Sequence, residues 1–172
     1  VIDSIPQDIN DQIAIATATE NLVQVLGPEN EWWLVAPFYV APVGIGQAET
    51  LAESLGFELP TPKLVDAIYE ASDLKVDASK MIFTPKEGSD YSFKTMASQA
   101  TFDITYMKLT KQILGKSFTL LGGSHKDVVK KDGVIGIYGW QPARGSTIQG
   151  FYTKHDHGWI DYSQGLRLVR RA

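Results

Sequence analysis

The chain has 172 residues, a net charge of −4 at pH 7 and no cysteine. An apolar fraction of 44% and a charged fraction of 21% are those of a folded domain and exclude wholesale disorder. The missing cysteines exclude disulfides, thiolate metal sites and cysteine nucleophiles, and no apolar run approaches the roughly 20 residues of a membrane span.

At this length a single globular domain over residues 1–172, with a substantial core, is expected. The charge is divided unevenly: residues 1–86 carry −9 and residues 87–172 carry +5. One reading is that an acidic half packs on a basic half. The other is a local positive field that attracts an anionic ligand. The acidic total and the lack of a recognised binding module speak against nucleic acid. The expected partner is therefore a polymeric or small anionic ligand, with oligomeric state left open.

Taken in order, residues 8–26 predict an amphipathic helix capped by Asp8, with Ile9, Ile13, Ala16 and Leu22 at near-helical spacing and Gly27-Pro28 as its stop. "EWWLVAPFYVAP" predicts an extended segment interrupted at Pro37, with Trp32 and Trp33 on opposite sides. "GQAETLAESLGF" predicts a helix ending near Gly56, and "TPKLVDAIYEASD" a second with Thr61 as cap, Pro62 in the first turn and an apolar face of Leu64, Val65, Ile68 and Tyr69. This pair resembles a helix-turn-helix, but Lys63 is its only base among six acids, a surface that repels phosphate.

Residues 74–92 predict a loop-rich crossing. "FKTMASQATFDITYMKLTKQILG" predicts a helix with Phe93, Met96, Ala100, Ile104, Met107 and Leu114 along one face, a strand at 101–107 being the competitor. "SFTLLGG", "GVIGIYGW", "TIQGFYTKH" and "WIDYSQGLRLV" predict four short strands separated by turns. Helices first and strands later give the expected class: α+β, N-terminal helices packed on a C-terminal, mainly antiparallel sheet.

The chemistry-bearing residues gather late. All three histidines, His125, His155 and His157, fall in the last third, beside glycine and aspartate. If 155–167 stays extended, His155, His157, Trp159, Asp161, Ser163 and Arg167 share one side. "GGSHKD" at 122–127 adds Ser124, His125, Lys126 and Asp127, with two glycines that allow close approach of a ligand. Histidine titrates near neutral pH and suits acid–base work. His125 and His155 are the expected acid–base residues, with Asp161 orienting them, Tyr162 or Ser163 passing a proton or attacking, and Arg167 or Lys126 stabilising negative charge. Ser124, Lys126, Trp140 and Trp159 are the expected substrate contacts. His125, Asp127, His155 and His157 are the ligand set if a metal is bound, zinc fitting a three-ligand site with a water. Otherwise the cofactor is unknown.

The HExxH, Walker, dinucleotide and GxSxG signatures are absent. The His-x-Asp and His-x-His spacings resemble pieces of zinc peptidases that cleave bacterial cell walls, although those place more residues between the first histidine and its aspartate. "LPTPKLVDAIYEA" at 59–71, "GGSHKDVV" at 122–129, "IYGW" at 137–140 and "DYSQGLRLV" at 161–169 resemble segments of an uncharacterised family of predicted exported microbial proteins. That resemblance implies export and carries no activity. An N-terminus at Val1 rather than Met fits removal of a secretion signal. The expectation is a secreted hydrolase of an extracellular or cell-wall polymer, such as polysaccharide or peptidoglycan. A non-catalytic glycan- or peptide-binding domain and a polysaccharide lyase are the alternatives.

Overall fold

Where sequence signals are strong, the chain obeys them. Thr61 accepts a hydrogen bond from the Leu64 N–H and Pro62 opens helix α3 (Pro62–Ala71), whose face of Leu64, Val65 and Ile68 is buried. Before it, α2 (Ile45–Ser54) runs into Gly56, which has a positive φ of 81°. These helices belong to a computed structural model that describes residues 1–83 and 96–172. It is an α+β arrangement with helices mostly early and largely antiparallel sheets mostly late, as expected.

Four α-helices and nine strands are present among the described residues. Helix α1 (Ile9–Thr17) is capped by Asp8 but is shorter than predicted. The predicted continuation to residue 26 instead forms strand β1 (Val23–Leu26), because Val23 and Val25 find antiparallel partners in Val35 and Trp33 of β2 (Trp32–Val35). Tertiary pairing overrides a weak helical period. Trp32 and Trp33 do face opposite sides: the first is exposed and the second buried.

Helix α4 (Gln99–Ile113) forms where a helix was predicted, and the competing strand does not. Its inward face differs from the expected one. Thr101, Thr105, Leu109 and Ile113 are buried at four-residue spacing, while Ile104, Met107 and Leu114 are exposed. The threonines suit the interior because the Thr105 hydroxyl donates to the Thr101 carbonyl at 3.0 Å, leaving no bare polar group there. Phe93 lies outside the described residues.

Three sheets hold the strands. One has the order β1-β2-β9, with β9 at Val169–Arg171, and a two-stranded parallel one joins β3 (Leu74–Lys75) to β4 (Leu121–Gly122). The third has the order β7-β6-β5-β8. Its members are β5 (Lys126–Lys131), β6 (Val134–Gly139), β7 (Gln149–Tyr152) and β8 (Gln164–Gly165). β8 runs parallel to β5 and the other neighbours are antiparallel.

The predicted strand 159–169 is the main departure. Instead of one two-faced ribbon, this segment threads between layers: Gln164 pairs with Lys126, Leu166 bridges Val40, and Val169 pairs with Val35. Every residue from Asp161 to Val169 is buried. The Phe38, Val40, Phe118, Leu121 and Leu168 side chains form the main core around it, and Trp33, Leu64, Ile68, Leu120 and Val169 a second cluster under α3. No helix among the described residues is long and apolar enough to cross a membrane.

The turn leading into this thread is fixed by α2. Its N-cap, Gly44, provides no side-chain bond. The Ile45 and Gly46 N–H groups donate instead to the Trp159 and His157 carbonyls, each at 3.0 Å. A Cβ at Gly46 would stand 2.4 Å from the His157 oxygen. Gly46→Ala is therefore expected to cost about 1–3 kcal/mol by overpacking, read as a lower Tm. Gly150→Ala, whose Cβ would meet nothing within 4 Å, is the control that should stay near wild type.

Candidate functional site

The predicted site residues split into a buried group and a surface group, and a tyrosine that sequence reasoning passed over organises the buried one. Tyr39 follows β2, and its hydroxyl donates to Asp127 Oδ2 at 2.5 Å. Its ring lies 4.2 Å from the guanidinium carbon of Arg167 and 5.7 Å, centre to centre, from the His125 imidazole. His125 and Asp127 reach it together because they alternate along the start of β5. Gly123, with φ of 86°, lets the preceding turn pass close to the Val76 carbonyl, where a Cβ would stand 2.3 Å away.

Arg167 is fully buried. Its Nη1 donates to the Ala36 carbonyl at 2.9 Å and its Nη2 to the Leu121 carbonyl. With both ends occupied, it is a structural cation and not the substrate-facing charge expected from sequence. Asp127 Oδ1 and Arg167 Nε are buried with no hydrogen-bond partner.

This surrounding sets unusual protonation. Burial holds the His125 pKa down at about 4, the Arg167 charge adding to the effect and Asp161 opposing it. Burial pushes Asp127 up to about 7, against Arg167 and the Tyr39 hydrogen bond. Burial and the neighbouring Asp127 carboxylate push the Tyr39 phenol upward as well. At neutral pH the imidazole is neutral and Asp127 is poised between its two forms.

The His125 Nδ1 is 2.9 Å from the Ser124 hydroxyl, which fixes the ring. That is the hydrogen bond its ring makes among the described residues, and His125 lines a cavity of about 40 Å³ together with Tyr39, Tyr162, Thr105 and Gln12. That volume suits about one water. The Tyr162 hydroxyl accepts from the Phe83 N–H at 3.0 Å, and its ring meets Trp140 edge-on. Trp140, which has φ of 76°, donates from Nε1 to the Ser124 carbonyl at 3.2 Å. Trp140 thus supports His125 from within the core and offers no open face.

Asp161 orients neither His125 nor His155 directly. Its Oδ1 accepts from the Ser163 N–H at 2.7 Å and the Ser163 hydroxyl at 2.6 Å, and its Oδ2 from Trp159 Nε1 at 2.8 Å. The Ser163 hydroxyl is thereby committed as a donor and is not set up as a nucleophile. Gln164, also missed in sequence, is fully buried and donates to the Val43 and Trp159 carbonyls at 3.0 and 3.3 Å.

The surface group lies beyond Asp161. His155 stacks on Trp159 with centres 4.1 Å apart and planes at 8°, and Tyr152 meets it edge-on at 4.8 Å. Burial lowers the His155 pKa, opposed by Asp161. Lys126 places its Nζ 5.1 Å from the Trp140 ring centre. His157 contributes its backbone carbonyl to α2. Among the described residues no three histidine, aspartate or glutamate side chains come together as a metal site needs. His125, Asp127, His155 and His157 therefore do not form the converging ligand set expected if a metal is bound. The alternating face predicted for 155–167 fails for the same reason: the segment turns at 156–163 instead of running straight.

Comparison with known proteins adds no likeness: no family model matches the chain, and neither a curated protein nor a solved structure does.

The two buried titrations oppose each other. A histidine held neutral loses stability as pH falls from about 6.5 to 4, because only the unfolded chain takes the proton. A carboxylic acid held up at about 7 loses stability as pH rises from about 4 to 7, because only the unfolded chain releases it. Relative to wild type, Asp127→Asn should gain stability steadily from pH 4 to 7, and His125→Gln should lose it over the same interval. Tm against pH for the three proteins checks this. Parallel curves would contradict it.

Proposed function

We propose that the chain is an exported hydrolase of an extracellular or cell-wall polymer, with His125 as its acid–base residue. One observation carries the catalytic part: a buried imidazole, fixed through Nδ1 and with its pKa held down at about 4, lines a small cavity of the size of a water. A concentration of buried, shifted titratable groups around one cavity is a common mark of an active site. Export rests on the resemblance of the 59–71, 122–129, 137–140 and 161–169 segments.

In this reading Nδ1–H donates to the Ser124 hydroxyl and Nε2 is the base. It takes a proton from water as the water oxygen bonds to the electrophilic carbon. The imidazolium then returns that proton to the leaving atom, so one water is consumed and the histidine is regenerated. A pKa near 4 makes His125 a modest base but a ready acid, and keeps it in its working form into mildly acidic conditions. Arg167 is a positioning residue that helps keep the imidazole neutral, and Tyr39, tied to Asp127, packs near its ring. A lyase built on Arg167 is disfavoured, since that guanidinium has no route to a uronate carboxylate.

The test is release of reducing ends and free amino groups from peptidoglycan, polygalacturonate and xylan. Wild type should cleave at least one, His125→Ala should be about 100-fold slower or worse, and the acid limb of kcat/KM should fall near pH 4 and not near 6.5. Equal rates for the two proteins on every polymer would end the hydrolase reading.

A further inference from the structure

We propose that Lys126, with the Tyr152–His155–Trp159 stack, forms a binding subsite for an acidic sugar unit, a uronate residue within a polysaccharide. This names a substrate class and rests on the hydrolase reading only for its place in a catalytic cycle. The subsite lies on the solvent side of Asp161, away from the cavity at His125.

Lys126 is a half-buried cation without a matching anion. The ion pair present among the described residues joins Lys130 to Glu49, elsewhere on β5. The carboxylate whose charge reaches Lys126 is Asp161, and it has already committed both oxygens to Trp159 and Ser163. The Nζ is instead held over the Trp140 ring, with no hydrogen bond or ion pair to its three donors among the described residues. Burial lowers the pKa of this amine, so an arriving carboxylate would relieve a cost that the free protein carries. Such a charge-assisted bond is stronger than a neutral one.

The second half of the subsite is aromatic. Tyr152 ends the edge strand β7 and is exposed, and His155 and Trp159 are half-buried. The two halves are joined through one turn: the Lys126 N–H donates to the Ser163 carbonyl at 2.7 Å, Ser163 donates to Asp161, and Asp161 accepts from the Trp159 indole, while the Lys126 charge is felt at His155. An aromatic surface next to a lone cation matches a ring with an apolar face and one anionic substituent. A uronate has both, whereas a neutral hexose lacks the charge. Asp161 ties the two halves together, anchoring Trp159 through the indole N–H while facing Lys126.

Binding is measured by calorimetry with His125→Ala, so that no polymer is consumed, against polygalacturonate, polymannuronate, hyaluronate and fully methyl-esterified polygalacturonate. At least one free-acid polymer should bind, and the ester at least about tenfold more weakly than free polygalacturonate if that is the one bound. Adding Lys126→Gln should weaken free-acid binding about tenfold, and Lys126→Arg should restore most of it. Tyr152→Ala should weaken free acid and ester alike, since the ring does not read the charge. Thermal melts confirm that each variant folds. No binding to any of the three free acids, equal binding of acid and ester, or indifference to Lys126→Gln would each overturn the subsite. Cleavage by wild type is scored separately, so loss of the hydrolase reading and loss of this subsite produce different results.

Discussion

A guanidinium without solvent contact holds the architecture together. Arg167 lies in the threaded segment, donates to the carbonyl at the end of β2 and to that of Leu121 in β4, and covers the Tyr39 ring. Taking such a charge out of water costs several kcal/mol, and an interior repays this only when hydrogen bonds and a countercharge are in place. Here the repayment comes from two backbone oxygens, an aromatic face and the Asp127 carboxyl beyond it. Ala36 and Leu121 would otherwise present unpaired carbonyls at the ends of two short strands. The cation satisfies both and thereby fixes where the sheets meet.

The same charge governs the chemistry available nearby. It disfavours a second positive charge on His125 and favours a negative one on Asp127, while burial disfavours charge on either. For the histidine the two influences add. For the aspartate they oppose, so its pKa stops near neutrality instead of rising further. Tyr39 touches all three, with its hydroxyl on Asp127 and its ring near both Arg167 and His125. The neutral imidazole and the carboxyl with a raised pKa are thus products of burial, one buried cation and one phenol.

Legibility in the sequence followed how local the cause was. Thr61-Pro62 and Gly56 act within a few residues, and α2 and α3 appeared as read. Asp161 and Ser163 were rightly placed together, since their bond spans two residues. The 155–167 alternation was misread because period two presumes one buried face and one wet face, whereas residues 161–169 are enclosed on all sides. In α4 the threonines are buried, so hydrophobicity pointed at the wrong stripe. Tyr39 left only a faint signal: a phenol within the apolar run between Pro37 and Pro42, where a buried hydroxyl must find a partner. Its partner, 88 residues away, is a product of the fold.

Asp161 links the proposed buried site to the proposed surface subsite. It lowers the cost of a proton on both His125 and His155, binds the indole that carries the stack, and fixes the turn from which Ser163 accepts the Lys126 N–H at 2.7 Å. The residue after His125 in the chain is therefore held to the same turn as the outer aromatics. A ligand seated against Lys126 would press on the backbone that positions the imidazole. The proposed recognition outside and proton transfer inside would share one short stretch of β5, and a rigid strand start is the means by which the first would set the geometry of the second.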